Sequence, residues 1–497
     1  MKHPQLLLLG GILSGAPLYE AAYADDAENR VKALEERVRD LEQMLKSAGK
    51  PVAARTEDPD TVKKLDQKVR TLERRWEVER EDAEAQKQNS PIVSLGESGF
   101  SVKSPDGAYQ LQLRGLLQAH GYFFSDDHNN TASDTFTLRR ARLIFQGKLA
   151  KYFDYFIMPD FGGNSPALID AFVDVRYQPE ISLRAGRFVS PFGLEHIRAA
   201  GNISFVERAL PDNLVPDRDN GAQLFGELGE GAFEYALAVA NGVVDGGTSQ
   251  NDTSDAKEFV GRVFAHPFQS LGIEPLRGLG LGIAGTFGEQ EGALPSYKTS
   301  GRQTFFTYRN GVVADGDRYR ISPQLFYNWD SFSVLSEYVL SSQEIARGGT
   351  SETLENDAWQ VALSYVLTGE NIAYKTQFYP VWANGMRPRH GFDPLKRNKG
   401  PQTELWAAPF QPSHPWGALE LVGRYNRLDV DRKAFPVYAD PSSSARSASA
   451  WALGLNWYLN SHFRLTADYE QTDFSGGKQG GDRPKEKVAQ VRFQAAF

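Results

Sequence analysis

The chain has 497 residues, 41% hydrophobic and 24% charged, with a formal net charge of -8 and no cysteine. The lack of cysteine excludes disulfides, a thiolate nucleophile and Cys-ligated metal, and so ordinary a charge balance gives no reason to expect nucleic acid as a partner. Mean hydropathy is -0.45. Beyond the N-terminal segment no run of about 18 apolar residues exists, which excludes a transmembrane helix but not a barrel of short, half-polar strands.

At the N-terminus Lys2, the apolar stretch Leu6–Leu13 and the small-x-small triplet Ala22–Ala24 stand in the order of a secretory signal peptide. Residues 1–24 are therefore expected to be removed, leaving Asp25 as the first mature residue. Val31, Leu34, Val38, Leu41 and Leu45 then step by three and four, and after Gly49, Pro51 and Pro59 the same seam resumes with Val62, Leu65, Val69, Leu72 and Trp76. Mixed charges such as Glu35, Glu36, Arg37 and Arg39 keep the remaining faces wet. A stripe this narrow cannot hold a helix alone, so the spacing predicts an α-helical coiled coil over 25–90, broken near 49–60, that joins copies of the chain.

From residue 91 the period changes to two. In "YQLQLRGLLQAHGYFF" Tyr109, Leu111, Leu113, Leu117 and Ala119 share one face, opposite Gln110, Gln112, Arg114, Gln118 and His120. "WALGLNWYL" and "FRLTADYEQT" repeat the alternation, and such segments recur to the C-terminus between short turns and long Gly/Asn/Asp/Ser-rich loops. The expected fold of 91–497 is all-β, a transmembrane antiparallel β-barrel of about 16 strands. The 30 Phe, 20 Tyr and 8 Trp, many at strand ends, favour a barrel in lipid over a soluble sandwich, because an interfacial girdle puts aromatics there. The last strand alternates Ala489, Val491, Phe493 and Ala495 with Gln490, Arg492 and Gln494 and stops on Phe497. A terminal aromatic of this kind marks a chain handed to the barrel assembly machinery of a Gram-negative outer membrane, which would leave the coiled coil in the periplasm.

Backbone groups in lipid must all be paired, so the sheet has to close, and about sixteen strands enclose a water-filled lumen. Within "TLRRARLIF", Arg140 and Arg142 are expected to point inward if Leu143 and Phe145 meet lipid, with Arg139 free to turn either way. Guanidinium groups stay charged and hold oxyanions bidentately, so an inward row concentrates anions; pairing with Asp170 or Asp174 would make them wall braces instead. Arg184 and Arg187 stand on the strand that leads into a stretch of some thirty residues, punctuated by Pro191, Gly193, Pro211 and Pro216. That stretch is too long and too apolar for an exposed loop, and is read as a loop of about 190–220 folded into the pore.

"GRFVSPFGLEH", "VERAL" and "VPDRDNGAQL", with "ALELVGRYNRLDVD" and "LGLNWYLNSHFRLTADYEQTDF" downstream, resemble the phosphate-selective porin O and P family from Leu111 to Phe497. The resemblance implies a trimer of sixteen-stranded barrels, a constricting third loop and an arginine ladder. It matches Arg139 and Arg140 to the family's paired arginines and Asp170 to an acidic residue near the constriction. Three positions depart: His196 replaces the lysine after Gly-Leu-Glu, Val189 an aromatic, and Leu116 a ladder arginine. Arg142 and Arg198 compensate in part, whereas a histidine is mostly neutral unless a carboxylate holds its proton. The departures argue against strict phosphate specificity and leave an outer-membrane porin with a mild anion preference.

No nucleophile elbow, zinc-binding His spacing or phosphate-cradling glycine loop occurs, so neither catalysis nor a cofactor is expected. The expected partners are small anionic solutes, outer-membrane lipid, two further copies of the chain and the assembly machinery. The alternatives are a tether to peptidoglycan through the coiled coil, and a general or sugar porin, for which Tyr152, Tyr155 and Tyr177 define no aromatic track.

Overall fold

The computed structural model describes residues 39, 59–96, 99–125, 132–163, 166–248, 255–371, 386–392 and 416–497. The signal peptide and, Arg39 apart, the first heptad segment lie outside the described residues. One unit, which ends at Lys87, holds all but the last two residues of the single helix described as an element, α1 (Pro59–Asn89). It opens on a proline, whose missing N–H costs nothing in a first turn. Its seam residues Val69, Leu72 and Trp76 are 47%, 64% and 65% exposed within one chain.

The other unit begins at Gln88 and is built on sixteen antiparallel strands. They are β1 (Gln110–Phe124), β2 (Thr135–Leu149), β3 (Phe153–Asp160), β4 (Ala167–Gln178), β5 (Ile181–Val189), β6 (Arg218–Leu228), β7 (Phe233–Ala240) and β8 (Glu258–Ala265). The ring continues with β9 (Leu279–Gly292), β10 (Val313–Trp329), β11 (Phe332–Arg347), β12 (Thr350–Val366), β13 (Ala418–Asp429), β14 (Ala445–Tyr458), β15 (Phe463–Lys478) and β16 (Glu486–Ala496). Each pairs with its sequence neighbours, and β16 returns to β1 from Val488 opposite Phe124 to Ala496 opposite Leu116, closing the barrel. One residue further, Gly115 N–H donates to Phe497 O at 2.9 Å and Phe497 N–H to Gly115 O at 3.1 Å. A Cβ on Gly115 would stand 2.3 Å from the Phe497 ring, so any larger residue there must displace that ring. The lower end of β1, Gln110–Leu113, pairs instead with Gly99–Lys103, the second strand of a hairpin begun by Ile92–Gly96.

Parity sets the two faces. Leu117, Leu143, Leu237, Ile283, Leu421, Leu453 and Phe493 are exposed on the outside, while Gln118, Arg142, Arg320, Asn426 and Arg492 are buried on the inside. This inversion of a soluble sheet is what lipid outside and a polar lumen require. The rims depart from a simple short-turn and long-loop division. At the long-loop end, β11 and β12 are joined by Gly348 and Gly349 alone, at φ 56° and 85°, a two-residue turn that needs positive φ at both positions. At the other end, among turns such as 330–331, lies the longest connection, 367–417.

The lumen is partly filled by residues 190–217, between β5 and β6. Phe192, Leu194, Ile203, Phe205, Val206 and Leu214 are all buried in it. A loop so enclosed needs partners for its own peptide groups, and the wall supplies them with side chains. Glu337 accepts the N–H of Leu194 at 2.7 Å, Asp468 that of Val206 at 2.7 Å and Asn426 that of Leu210 at 3.0 Å. In the other direction Arg464 donates to Ile203 O at 2.7 Å, Arg424 to Glu207 O at 3.0 Å and Gln118 to Ala200 O at 3.0 Å, while Arg492 reaches Val206 O.

A second loop, 293–312, also folds inward, which the alternation pattern did not anticipate. Tyr297, Phe305 and Phe306 are at most 1% exposed and pack with Val339, Ile345, Leu354 and Tyr438. Thr299 Oγ1 donates to Glu486 at 2.7 Å and Ser300 Oγ to Glu470, tying its tip to β15 and β16.

Candidate pore constriction

Between the wall of β1–β4 and the two infolded loops lies a cavity of about 700 Å³. Its chemistry begins with a register shift. Gln118 pairs with Arg140 and Ala119 with Leu138, leaving Arg139 as an extra residue on β2. Such a bulge re-aims a side chain. Leu138 therefore stays outside, Arg140 stays inside, and Arg139 joins the lumen as well, with its Nε 2.8 Å from Glu207 Oε1 of the loop. Tyr122 Oη donates to the same oxygen at 2.7 Å, and His120 Nδ1 lies 3.4 Å from it. Burial works against the Glu207 carboxylate, but Arg139, His120 and Arg140 outweigh it and hold the group well below the usual range.

Arg142 donates to Asp160 at 2.7 Å, and that aspartate also accepts the N–H groups of Ala141 and Gly162, both at 2.9 Å. Arg140 differs. Its Nη1 donates to Gln118 at 2.7 Å, its Nε has no hydrogen-bond partner, and no carboxylate among the described residues bridges it. On the loop, His196 stands between Asp212 and Asp217, with Nδ1 and Nε2 at 2.6 and 2.7 Å from their Oδ1 atoms. Burial alone would discharge this imidazole; the two aspartates reverse the effect and raise its pKa to about 9. Asp212 and Asp217 are lowered in turn, against burial, the first mainly by His196 and Arg208, the second by Arg218 and His196. Arg218 binds Asp217 at 2.6 Å and Asp170 at 3.1 Å. Arg302, from the second infolded loop, completes the lining at a left-handed φ of 61°.

Seven cations thus line the cavity: Arg139, Arg140, Arg142, Arg208, Arg218, Arg302 and His196. Asp160, Asp212 and Asp217 line it too, and Glu207 and Asp170 stand behind Arg139 and Arg218. Positive charge is in excess. Among the described residues no group of His, Asp and Glu is arranged to hold a metal ion.

Of the residues expected at the constriction, Arg139, Arg140, Arg142 and His196 come together here, and Asp170 sits behind them. Arg184 lies elsewhere on the wall, bound to Asp174 at 2.7 and 2.9 Å with its guanidinium 3.9 Å from the Phe172 ring centre. Arg187 donates to Ile169 O at 3.0 Å and Thr248 Oγ1 at 2.9 Å. Arg198 turns back on its own loop, donating to Asn202 O at 2.8 Å. Leu116 does face inward, packed with Ala200 and Ala496. Tyr177 is 71% exposed on the outer face and pairs with Tyr152, centroids 5.0 Å apart, as part of a rim girdle and not of a lumen track. Sequence reasoning missed Glu207, Arg208, Arg218 and Arg302. The first three fall in "VERALPDNLVPDRD", whose charges within an apolar loop were the available signal; the aromatics of "YKTSGRQTFFTY" were the signal for the loop that carries Arg302.

Residues 112–497 match the family described as phosphate-selective porin O and P. The chain is 25% identical over 446 residues to Porin O of Pseudomonas aeruginosa, covering 81% of this chain and 92% of that protein. Among solved structures it is similar to the outer membrane channel DcaP of Acinetobacter baumannii, with TM-score 0.48 and 11% identity over 80% of this chain and 99% of that one. It is also similar to an anion-selective porin from Comamonas acidovorans, with TM-score 0.45 and 13% identity over 78% of this chain and 100% of that one.

Proposed function

Because the chain belongs to the phosphate-selective porin O and P family and is an outer-membrane porin, we propose that its pore prefers small oxyanions, with the lumen cavity as the selecting step. One observation carries this reading: the buried Arg140 faces the cavity beside Arg139 and Arg142 with no carboxylate of its own among the described residues. A guanidinium without a fixed counter-ion is completed by a passing anion, and weak sites in series let that anion leave. Phosphate is one candidate among oxyanions, since His196 is clasped by two aspartates and offers a solute less than a free lysine would. A tether has no use for a narrowed lumen, so the two infolded loops favour the selective pore.

The working unit is a homotrimer with α1 in the periplasm. Val69, Leu72 and Trp76 lie uncovered in the single chain, and three copies would bury them against one another. In planar bilayers the purified protein is expected to give stepwise currents whose reversal potential in a KCl gradient reports anion preference. Neutralising Arg139, Arg140 and Arg142 together should weaken that preference, and phosphate should compete with chloride. Cation preference or the absence of steps rejects the reading. Deleting residues 28–88 should lower oligomer stability while current persists.

A further inference from the structure

This inference rests on reading the cavity as an anion pathway and concerns what holds its loop in place. Both ring nitrogens of His196 approach carboxylate oxygens, at 2.6 Å for Asp212 and 2.7 Å for Asp217. A neutral imidazole has one N–H and one lone pair, so one of these contacts would set a lone pair against a carboxylate. With both aspartates ionised, two such contacts require the imidazolium. The three residues belong to one loop but to opposite limbs of it, His196 soon after β5 and Asp217 immediately before β6. The bond pair therefore ties the neck of the loop. Packing is tight at this neck, since a Cβ on Gly193 would lie 2.7 Å from Val215 and 3.2 Å from the His196 Cβ.

The surrounding charges substitute for the ring only in part. Arg208 donates to His196 O at 3.2 Å and lies 3.8 Å from Asp212. From β6, Arg218 reaches Asp217, and from β4, Asp170 draws the same guanidinium back towards the wall. Across the cavity Arg142 is occupied by Asp160. Glu195, the preceding residue, turns away to accept the N–H of Ala209 at 3.0 Å and Gln360 Nε2 at 3.0 Å. Without its ring proton, His196 would face two carboxylates that keep only their guanidinium partners.

We propose that His196 is a positioning residue whose proton is a structural part of the constriction: the imidazolium fastens the inner loop and adds a positive charge to the pathway, and losing it loosens the loop and lowers anion preference. The sign follows from the raised pKa. The contribution is complete below the ordinary histidine value of about 6.5, declines as pH rises, and is lost above about 9. At neutral pH this histidine is charged, the reverse of a free one.

The test uses the full-length protein in planar bilayers, recording reversal potential in a KCl gradient and open-channel noise from about pH 6 to about pH 10. The wild type is expected to lose about twofold in its anion-to-cation permeability ratio and to become noisier between about pH 8 and 10. His196→Lys, which stays charged, should hold both readouts flat over that interval. His196→Gln should show at neutral pH what the wild type shows only at alkaline pH. The proposal is overturned if the wild type is flat throughout, or if His196→Gln matches it at neutral pH. A pore that prefers cations at every pH yet grows noisy along the same titration would sink the anion reading and support the clasp.

Discussion

Two halves of the lumen wall carry the same residue type in opposite employment. On β13, β15 and β16, Arg424, Arg464 and Arg492 point inward and are consumed by the loop, donating to the carbonyls of Glu207, Ile203 and Val206. On β2, Arg139, Arg140 and Arg142 point inward and line open volume. Strand parity puts both sets in the lumen and cannot separate them. What separates them is whether a peptide carbonyl of 190–217 consumes the guanidinium: on β2 the loop is met through the Glu207 side chain, which takes Arg139 at 2.8 Å, and not through its backbone. A porin loop must be anchored firmly on one side if the other is to keep a defined gap.

The largest expected effect lies on the anchoring side. Arg424 binds Glu470 at 2.7 Å as well as Glu207 O. Arg424→Met strips a buried carboxylate of its counter-charge and a buried carbonyl of its donor, and should destabilise the folded barrel by about 3–5 kcal/mol. Urea unfolding in detergent measures this, and the reversal potential should keep its sign; an unchanged midpoint would break the division between the halves. The seam where the halves meet comes next. Gly115→Leu displaces the Phe497 ring and should cost about 1–3 kcal/mol in the same assay. A wild-type midpoint there would show that the terminal rung contributes little to closure. The smallest effect tests the pathway side. Arg302 is exposed and lines the cavity, so Arg302→Gln should leave stability within about 0.5 kcal/mol and lower anion preference less than the triple substitution on β2. A larger loss than the triple would move the selecting step from the wall to the second loop.

Much of this was legible from residues alone, and the limit falls at identifiable places. Alternation over Leu111–His120 and Arg140–Phe145 settled which side chains meet lipid, because parity is a property of each strand by itself. The apolar content of 190–220 was enough to read an inner loop, since such a segment cannot remain in water. Arg139 was not decidable, because the bulge that turns it inward exists only against β1. His196 read as neutral unless a carboxylate held its proton, and two do, from sixteen and twenty-one residues further on.

By itself the sequence determined the period-two strands, the greasy exterior, the inward Arg140 and Arg142, and the family to which the chain belongs. Only the tertiary structure decided which arginines meet a loop carbonyl, that 293–312 folds inward beside the first loop, and that two aspartates clasp His196. The reason is range. A strand's faces follow from neighbours two residues apart, whereas Arg464 meets Ile203 across 261 residues and Arg492 meets Val206 across 286, contacts that exist only once the ring has closed.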